Sequence, residues 1–177
     1  MHHSFRISGV AYDWLCSYLR NRTQRVVLNG KRSQWIPVQS GVPEGSILGP
    51  LLFACYVADI PHHIETNCIA YADDLKLYHR ISSPADVLSL QADLDRLHLW
   101  SNTWRLRLNP CKCKFISFTL RTSPVDAVYN LDGHSLERCS QIRDLGVILD
   151  SKLTFCHHVD YTMSKANRMV GLLMRSM

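Results

Sequence analysis

The chain has 177 residues, enough for one domain, or a domain with a small appendage, built around a real core. A content of 46% hydrophobic and 20% charged residues is that of a soluble globular protein, and the longest apolar stretch, Ile47 to Ala58, is too short to span a bilayer and is broken by Gly49-Pro50, which excludes a membrane role. The net charge of +5 suits a polyanionic partner without demanding one. Seven scattered cysteines with no signal peptide before them point to reduced thiols in an intracellular protein of the nucleus or cytoplasm, not to a disulfide framework. Cys111 and Cys113 are one residue apart, which is not the spacing of a zinc knuckle.

In chain order, "VAYDWLCSYLRNR" (10–22) is predicted as a short amphipathic helix with Trp14, Leu15, Tyr18 and Leu19 on one face. "QRVVLNGKRSQWIPV" (24–38) is predicted as a hairpin, because Asn29-Gly30 tolerates two positive φ angles. "SGVPEGSILG" (40–49) has the glycines and proline of a loop whose backbone can approach another molecule closely. Pro50 then opens a helix, "PLLFACYVADI", apolar nearly all round and therefore expected to be buried, with Asp59 at its end. "CIAYADDLKLY" (68–78) is predicted as a hairpin with a two-residue loop.

A long helix follows over "SSPADVLSLQADLDRLHLWSNTW", with Ser83 as N-cap, Pro84 at the first position and Asp86 in the first turn. Val87, Leu90, Leu94, Leu97 and Trp100 form its apolar stripe. Next come a strand "KFISF" (114–118), a loop around Ser123-Pro124, a hairpin turning at Asp132-Gly133, a strand "DLGVILD" (144–150) and a helix from about Thr154. Helices and hairpins mixed without βαβ alternation predict an α+β fold with an antiparallel sheet.

Charge is unevenly distributed. The segments 20–32 and 105–121 carry five basic residues each and no acid, while 59–95 between them holds seven acidic residues. That arrangement suits a metal-using enzyme on nucleic acid, although charge alone more often marks a solvated surface. Asp73 and Asp74 at a hairpin tip repel one another unless a cation neutralises them, and hard cations such as Mg²⁺ take carboxylates together with substrate phosphates. Aspartate is also an ordinary turn residue, so the pair alone leaves both readings open.

Taken in order, "SGVPEGSILGPLLFACYVADIP", "AYADDLKLY", "LNPCKCKFISF" and "LGVILDSKLTFCHHV" resemble the reverse transcriptases of non-LTR retrotransposons, over nearly the whole chain from about Trp14. The resemblance implies an antiparallel palm-like sheet with packed helices, followed by a hairpin and a thumb-like C-terminal helix. Residues 1–120 would be a partial fingers and palm, and 121–177 a primer-grip hairpin and the start of the thumb. It implies RNA-directed DNA synthesis with Mg²⁺ (or Mn²⁺) on an RNA template, a DNA primer or target and dNTP. Asp73 and Asp74 would be the catalytic metal ligands, with Tyr71 and Ala72 flanking the primer end. Gly41, Pro43, Glu44, Gly45 and Ser46 would hold template and nucleotide. Lys112 or Lys114, alternating on a strand, would approach the triphosphate, and Leu145, Gly146 and Val147 would belong to the primer grip. His158 is expected to pack or to hydrogen-bond.

Two departures stand out. The family has a further metal-binding aspartate on an upstream strand, and Asp13, inside a predicted helix, is no counterpart. The chain is therefore expected to begin after that motif, as a truncated copy or an incomplete gene model would, and to be inactive alone. Glu44 stands where the family commonly has glutamine, and a carboxylate only accepts hydrogen bonds and repels phosphate. The alternative function is a non-catalytic nucleic-acid-binding remnant of such a polymerase.

Overall fold

In the computed structural model, which describes residues 7–39, 41–43, 45–122 and 125–176, the first helix α1 (Val10–Leu19) stops at Arg20, whose extended backbone ends the turn. Trp14 and Tyr18, one helical turn apart, stack at 5.5 Å. The predicted hairpin forms in two steps, with β1 (Thr23–Gln24) pairing β4 (Ile36–Pro37) and β2 (Val27–Leu28) pairing β3 (Lys31–Arg32), both antiparallel. Asn29 and Gly30 take φ of 49° and 78° at its tip, as that dipeptide allows. Between the two pairings the Ser33 hydroxyl accepts the Val26 N–H at 2.9 Å, which satisfies a backbone donor the ladder leaves out.

Helix α2 (Gly49–Val57) begins one residue before the expected Pro50 and is not buried all round. Gly49 and Leu52 are buried, while Leu51 is 59% exposed. The predicted single helix over 50–60 is also two: a short α3 (Ile60–His63) restarts after Asp59, which takes the N-cap position with His63 Nε2 3.8 Å from its carboxylate. A proline at the second position of α3 has no N–H to donate, so the chain breaks there and begins afresh. Leu52, Ile60 and Ile64 are the buried apolar residues of this part. Strands β5 (Asn67–Tyr71) and β6 (Asp74–Tyr78) pair with each other. Close packing groups Met1–Leu77 as one unit and Tyr78–Met177 as another.

The second unit is organised by α4 (Pro84–Trp104), which has the predicted limits. Its capping box is complete: the Asp86 carboxylate accepts the Ser82 and Ser83 N–H groups at 2.8 and 2.7 Å and the Ser83 hydroxyl at 3.0 Å. Those bonds hold the Asp86 carboxyl below the usual carboxylate range. The helix stops at Arg105, which adopts a left-handed conformation. Leu97 and Trp100 are buried, and Val87, Leu90 and Leu94 pack on Tyr129, Leu131 and Leu136, so the predicted stripe is the core face. Sequence alone did not reveal Asp93, which is fully buried on the same helix and paired with Arg96.

A 3-10 turn (Pro110–Lys112) leads into β7 (Lys114–Ile116). Lys112 thus ends the turn and Lys114 begins the strand, so the two do not alternate on one strand: Pro110, with fixed φ, tightens the chain before extension begins. Hairpin β8 (Asn130–Leu131) and β9 (His134–Ser135) turns at Asp132-Gly133, with φ of 52° and 73°. Strand β10 (Glu137–Cys139) then pairs β7 in parallel, a pairing that alternation patterns do not encode. The predicted strand over 144–150 is a hairpin of β11 (Gln141–Asp144) and β12 (Val147–Asp150), because Leu145 and Gly146 both take positive φ. Helix α5 (Cys156–Ser176) completes the chain. Among the described residues the strands form six two-stranded sheets, and no helix is long and apolar enough to cross a membrane.

Candidate carboxylate centre and substrate loop

The two-residue turn of the β5–β6 hairpin is Ala72-Asp73, one residue earlier than the pair of aspartates suggests, and Asp74 is the first residue of β6. Ala72 takes φ of 52° while Asp73 does not take a positive φ. A turn with positive φ at its first central residue alone ordinarily carries glycine there, so an alanine stores about 1 kcal/mol of strain. Tyr71, Ala72, Asp73 and Asp74 are all exposed. Two neighbouring exposed carboxylates offer the hard oxygen donors that Mg²⁺ or Mn²⁺ takes, leaving room for water and phosphate oxygens. Among the described residues no group of three or more His, Cys, Asp or Glu side chains is placed to hold a metal ion. The pair therefore fits one loosely held ion and does not by itself fit two.

The loop before α2 is held at both ends. Arg22 Nη2 donates to the Gly41 carbonyl while its Nε donates to the Leu19 carbonyl at 3.1 Å, so one guanidinium ties helix α1 to the start of the loop. At the other end Ser46 Oγ donates to the Pro43 carbonyl at 2.7 Å and accepts the Gly49 N–H at 2.9 Å. This closes the loop onto the first N–H of α2, whose N-cap residue is Leu48. Gly41 and Gly45 have φ of 83° and 71° with open space where a Cβ would stand. Gly49 is different: a Cβ there would lie 2.8 Å from the Pro43 carbonyl oxygen and 3.1 Å from Ser46 Oγ. Gly41 and Gly45 are exposed, as a backbone that approaches a substrate must be. Glu44 lies outside the described residues, as does the Ser123-Pro124 loop.

Asp73, Asp74 and the loop of Gly41, Pro43, Gly45 and Ser46 fall in the first unit; Lys112, Lys114 and Leu145-Gly146-Val147 fall in the second. Lys112 is exposed, whereas Lys114 Nζ lies 2.7 Å from Glu137 Oε2 on the paired strand. The hydrogen bond to Glu137 and its charge raise the Lys114 pKa. Leu145 (φ 45°) and Gly146 (φ 90°) are the turn of the β11–β12 hairpin and Val147 opens its second strand. His158 hydrogen-bonds as expected: its Nδ1 accepts the Ile148 N–H at 3.4 Å and so ties α5 to β12.

Sequence reasoning missed the tie made by Arg22, the Ser46 hydroxyl bridge from Pro43 to Gly49, and Asp150. The Asp150 carboxylate accepts the N–H groups of Lys152, Thr154 and Phe155 and the Thr154 hydroxyl, at 2.9–3.1 Å. Partial burial pushes this carboxyl up, and the four hydrogen bonds outweigh it and bring it to about 2. An aspartate followed four residues later by threonine ahead of a helix was the available signal. A cavity of about 450 Å³ beside α1, lined by Tyr12, Asp13, Cys16, Ser17, Arg20 and Asn21, includes none of the predicted site residues. Asp13 lies in the first turn of α1, in the helical context the sequence indicated.

The family model for reverse transcriptase (RNA-dependent DNA polymerase) matches residues 2–149. The chain is 34% identical over 152 residues to the RNA-directed DNA polymerase from mobile element jockey of Drosophila melanogaster, covering 81% of this chain and 16% of that protein. It is 37% identical over 163 residues to the probable RNA-directed DNA polymerase from transposon BS of the same species, covering 85% of this chain and 18% of that protein. A third relative, the probable RNA-directed DNA polymerase from transposon X-element, is 31% identical over 84% of this chain and 17% of its own length. The chain thus spans less than a fifth of the length of these relatives. No solved structure matches it. With a strained aspartate-bearing hairpin, a glycine loop before a helix and a family match over most of the chain, the protein belongs to the reverse transcriptase (RNA-dependent DNA polymerase) family.

Proposed function

We propose that the chain carries part of the active site of an RNA-directed DNA polymerase, within a palm-like region at 1–120 followed at 121–177 by a primer-grip hairpin and the start of a thumb. The observation that carries this reading is the exposed Asp73-Asp74 pair at the β5–β6 turn, inside the family match. Asp73 and Asp74 would hold Mg²⁺ or Mn²⁺, which supplies charge neutralisation for nucleotidyl transfer when bound. Tyr71 and Ala72 would lie against the primer end. The Gly41–Gly45 backbone would face template and dNTP, with Ser46 keeping the loop closed on α2. Lys112 is the freer of the two lysines to meet a triphosphate, since Lys114 is engaged with Glu137. Leu145, Gly146 and Val147 would support the primer strand.

Two carboxylates are too few protein ligands for two ions held in line, so these 177 residues alone are expected not to polymerise. Two measurements test this. Mn²⁺ binding followed by electron spin resonance should occur in the wild-type chain and weaken at least tenfold in Asp73→Asn/Asp74→Asn; equal binding would remove the metal role. Primer extension on an RNA template with Mg²⁺ or Mn²⁺ should give no product, and extension abolished by Asp73→Asn would overturn the expected inactivity.

A further inference from the structure

The hairpin of β1 to β4 is basic and aromatic, and it stands outside the chemistry assigned above. From Arg20 to Arg32 the chain carries five cations and no acid. Arg22 is spent on the Leu19 and Gly41 carbonyls. Lys31 and Arg32 are exposed and Arg25 is half-buried, and no carboxylate among the described residues pairs with them. Trp35 is 59% exposed, and the Arg25 guanidinium sits over its ring at 4.5 Å. An indole that stays in solvent with a guanidinium on one face is a stiff, cationic stacking surface.

We propose that this hairpin is a binding platform for single-stranded nucleic acid, with Trp35 and Arg25 stacking a base and Lys31 and Arg32 meeting phosphates. A polyanion is the occupant that matches uncompensated cations, and an aromatic face beside them selects one whose bases are free to stack. A duplex keeps its bases paired and would use the cations only. The far end of the hairpin leads straight into the loop at Gly41, because the Val38 N–H bonds the Arg22 carbonyl at 2.8 Å and Arg22 holds Gly41. A strand lying on the hairpin is thereby delivered to that loop. The platform needs neither metal nor Asp73, so it stands or falls apart from the catalytic reading.

Fluorescence anisotropy of labelled oligo-dT and oligo-U, with the full 177-residue chain and no divalent ion, tests it. Binding should weaken as salt rises, and Trp35→Ala should cost roughly 5-fold or more while Trp35→Phe retains most of the affinity. The Lys31→Ala/Arg32→Ala double variant should lower the slope of log K against log salt by about 1.4. Comparison of the two oligonucleotides separates DNA from RNA preference. Unchanged binding in Trp35→Ala, a salt-independent affinity, equal affinity for duplex, or preference for anionic lipid vesicles would each overturn the proposal. Circular dichroism of each variant checks that the fold is kept, and the lysine–arginine variant reads the phosphate contacts independently of the indole.

Discussion

The side-chain amide of Gln91 on α4 grips the backbone of Asn130 on β8 at both ends: Nε2 donates to the Asn130 carbonyl at 2.9 Å and Oε1 accepts the Asn130 N–H at 2.8 Å. The helix thus acts as the missing neighbour strand of a two-stranded hairpin and satisfies an edge that would otherwise be bare. Nε2 also donates to Asp95 at 2.8 Å, which fixes the amide's orientation. Gln91→Ala should cost about 1–2 kcal/mol, and Gln91→Glu at least as much, because a carboxylate turned to the Asn130 carbonyl only repels it. Urea unfolding should show a lower midpoint with an unchanged slope; an unchanged midpoint would make the contact energetically idle.

Acid should loosen the junction of β12 and α5. Asp150 has a folded pKa of about 2 against an ordinary 3.8. A depressed carboxyl contributes stability that is present above the unfolded value near 3.8 and lost as pH falls through about 2. Asp150→Asn should therefore be less stable than wild type at pH 6 and should converge on it near pH 2. Thermal melts of both across that range measure the difference, and parallel curves would refute it.

Substitutions of the loop glycines separate two kinds of demand. Gly45→Ala meets open space and only the φ of 71°, so it should cost about 1 kcal/mol. Gly49→Ala meets no φ restriction but drives a Cβ against the Pro43 carbonyl and Ser46 Oγ, so the loop must shift. Hydrogen exchange at residues 41–49 should rise markedly in Gly49→Ala and little in Gly45→Ala. The reverse order would contradict the packing described.

Strain at the carboxylate turn can be read in the same way. Ala72→Gly relieves a left-handed alanine at the cost of a more flexible unfolded chain, so it should be neutral or stabilising by up to about 1 kcal/mol. Ala72→Val should destabilise by about 1–2 kcal/mol, since a β-branched residue tolerates positive φ poorly. Differential scanning calorimetry of the two variants checks the order.

Turn chemistry and apolar stripes were legible in the sequence because they are local. Asn29-Gly30, Asp132-Gly133, the Ser83–Asp86 cap and the face of Val87 to Trp100 all stand where their residues put them. The Leu145-Gly146 turn was hidden inside what reads as an apolar strand, because leucine carries no turn signal. Lys114 was placed on a strand with Lys112, but its partner Glu137 is remote in sequence and joins it only through a parallel pairing. The tie from Arg22 to Gly41 and the burial of Asp93 likewise depend on where the chain returns, which spacing does not disclose. Order of motifs identified the family; it gave no distance between them.

The pairing of β7 with β10 has a kinetic consequence. Lys114, Phe115 and Ile116 meet Glu137, Arg138 and Cys139 only after the intervening chain has returned to the same end, so closure entropy opposes that contact until something shortens the loop. The β8–β9 hairpin lies in that loop and packs Leu131 and Tyr129 against α4. Helix and hairpin are therefore expected to nucleate, with the parallel strands zipping afterwards. Leu131→Ala should slow refolding, whereas Ile116→Val should chiefly speed unfolding, a division that stopped-flow chevrons would display.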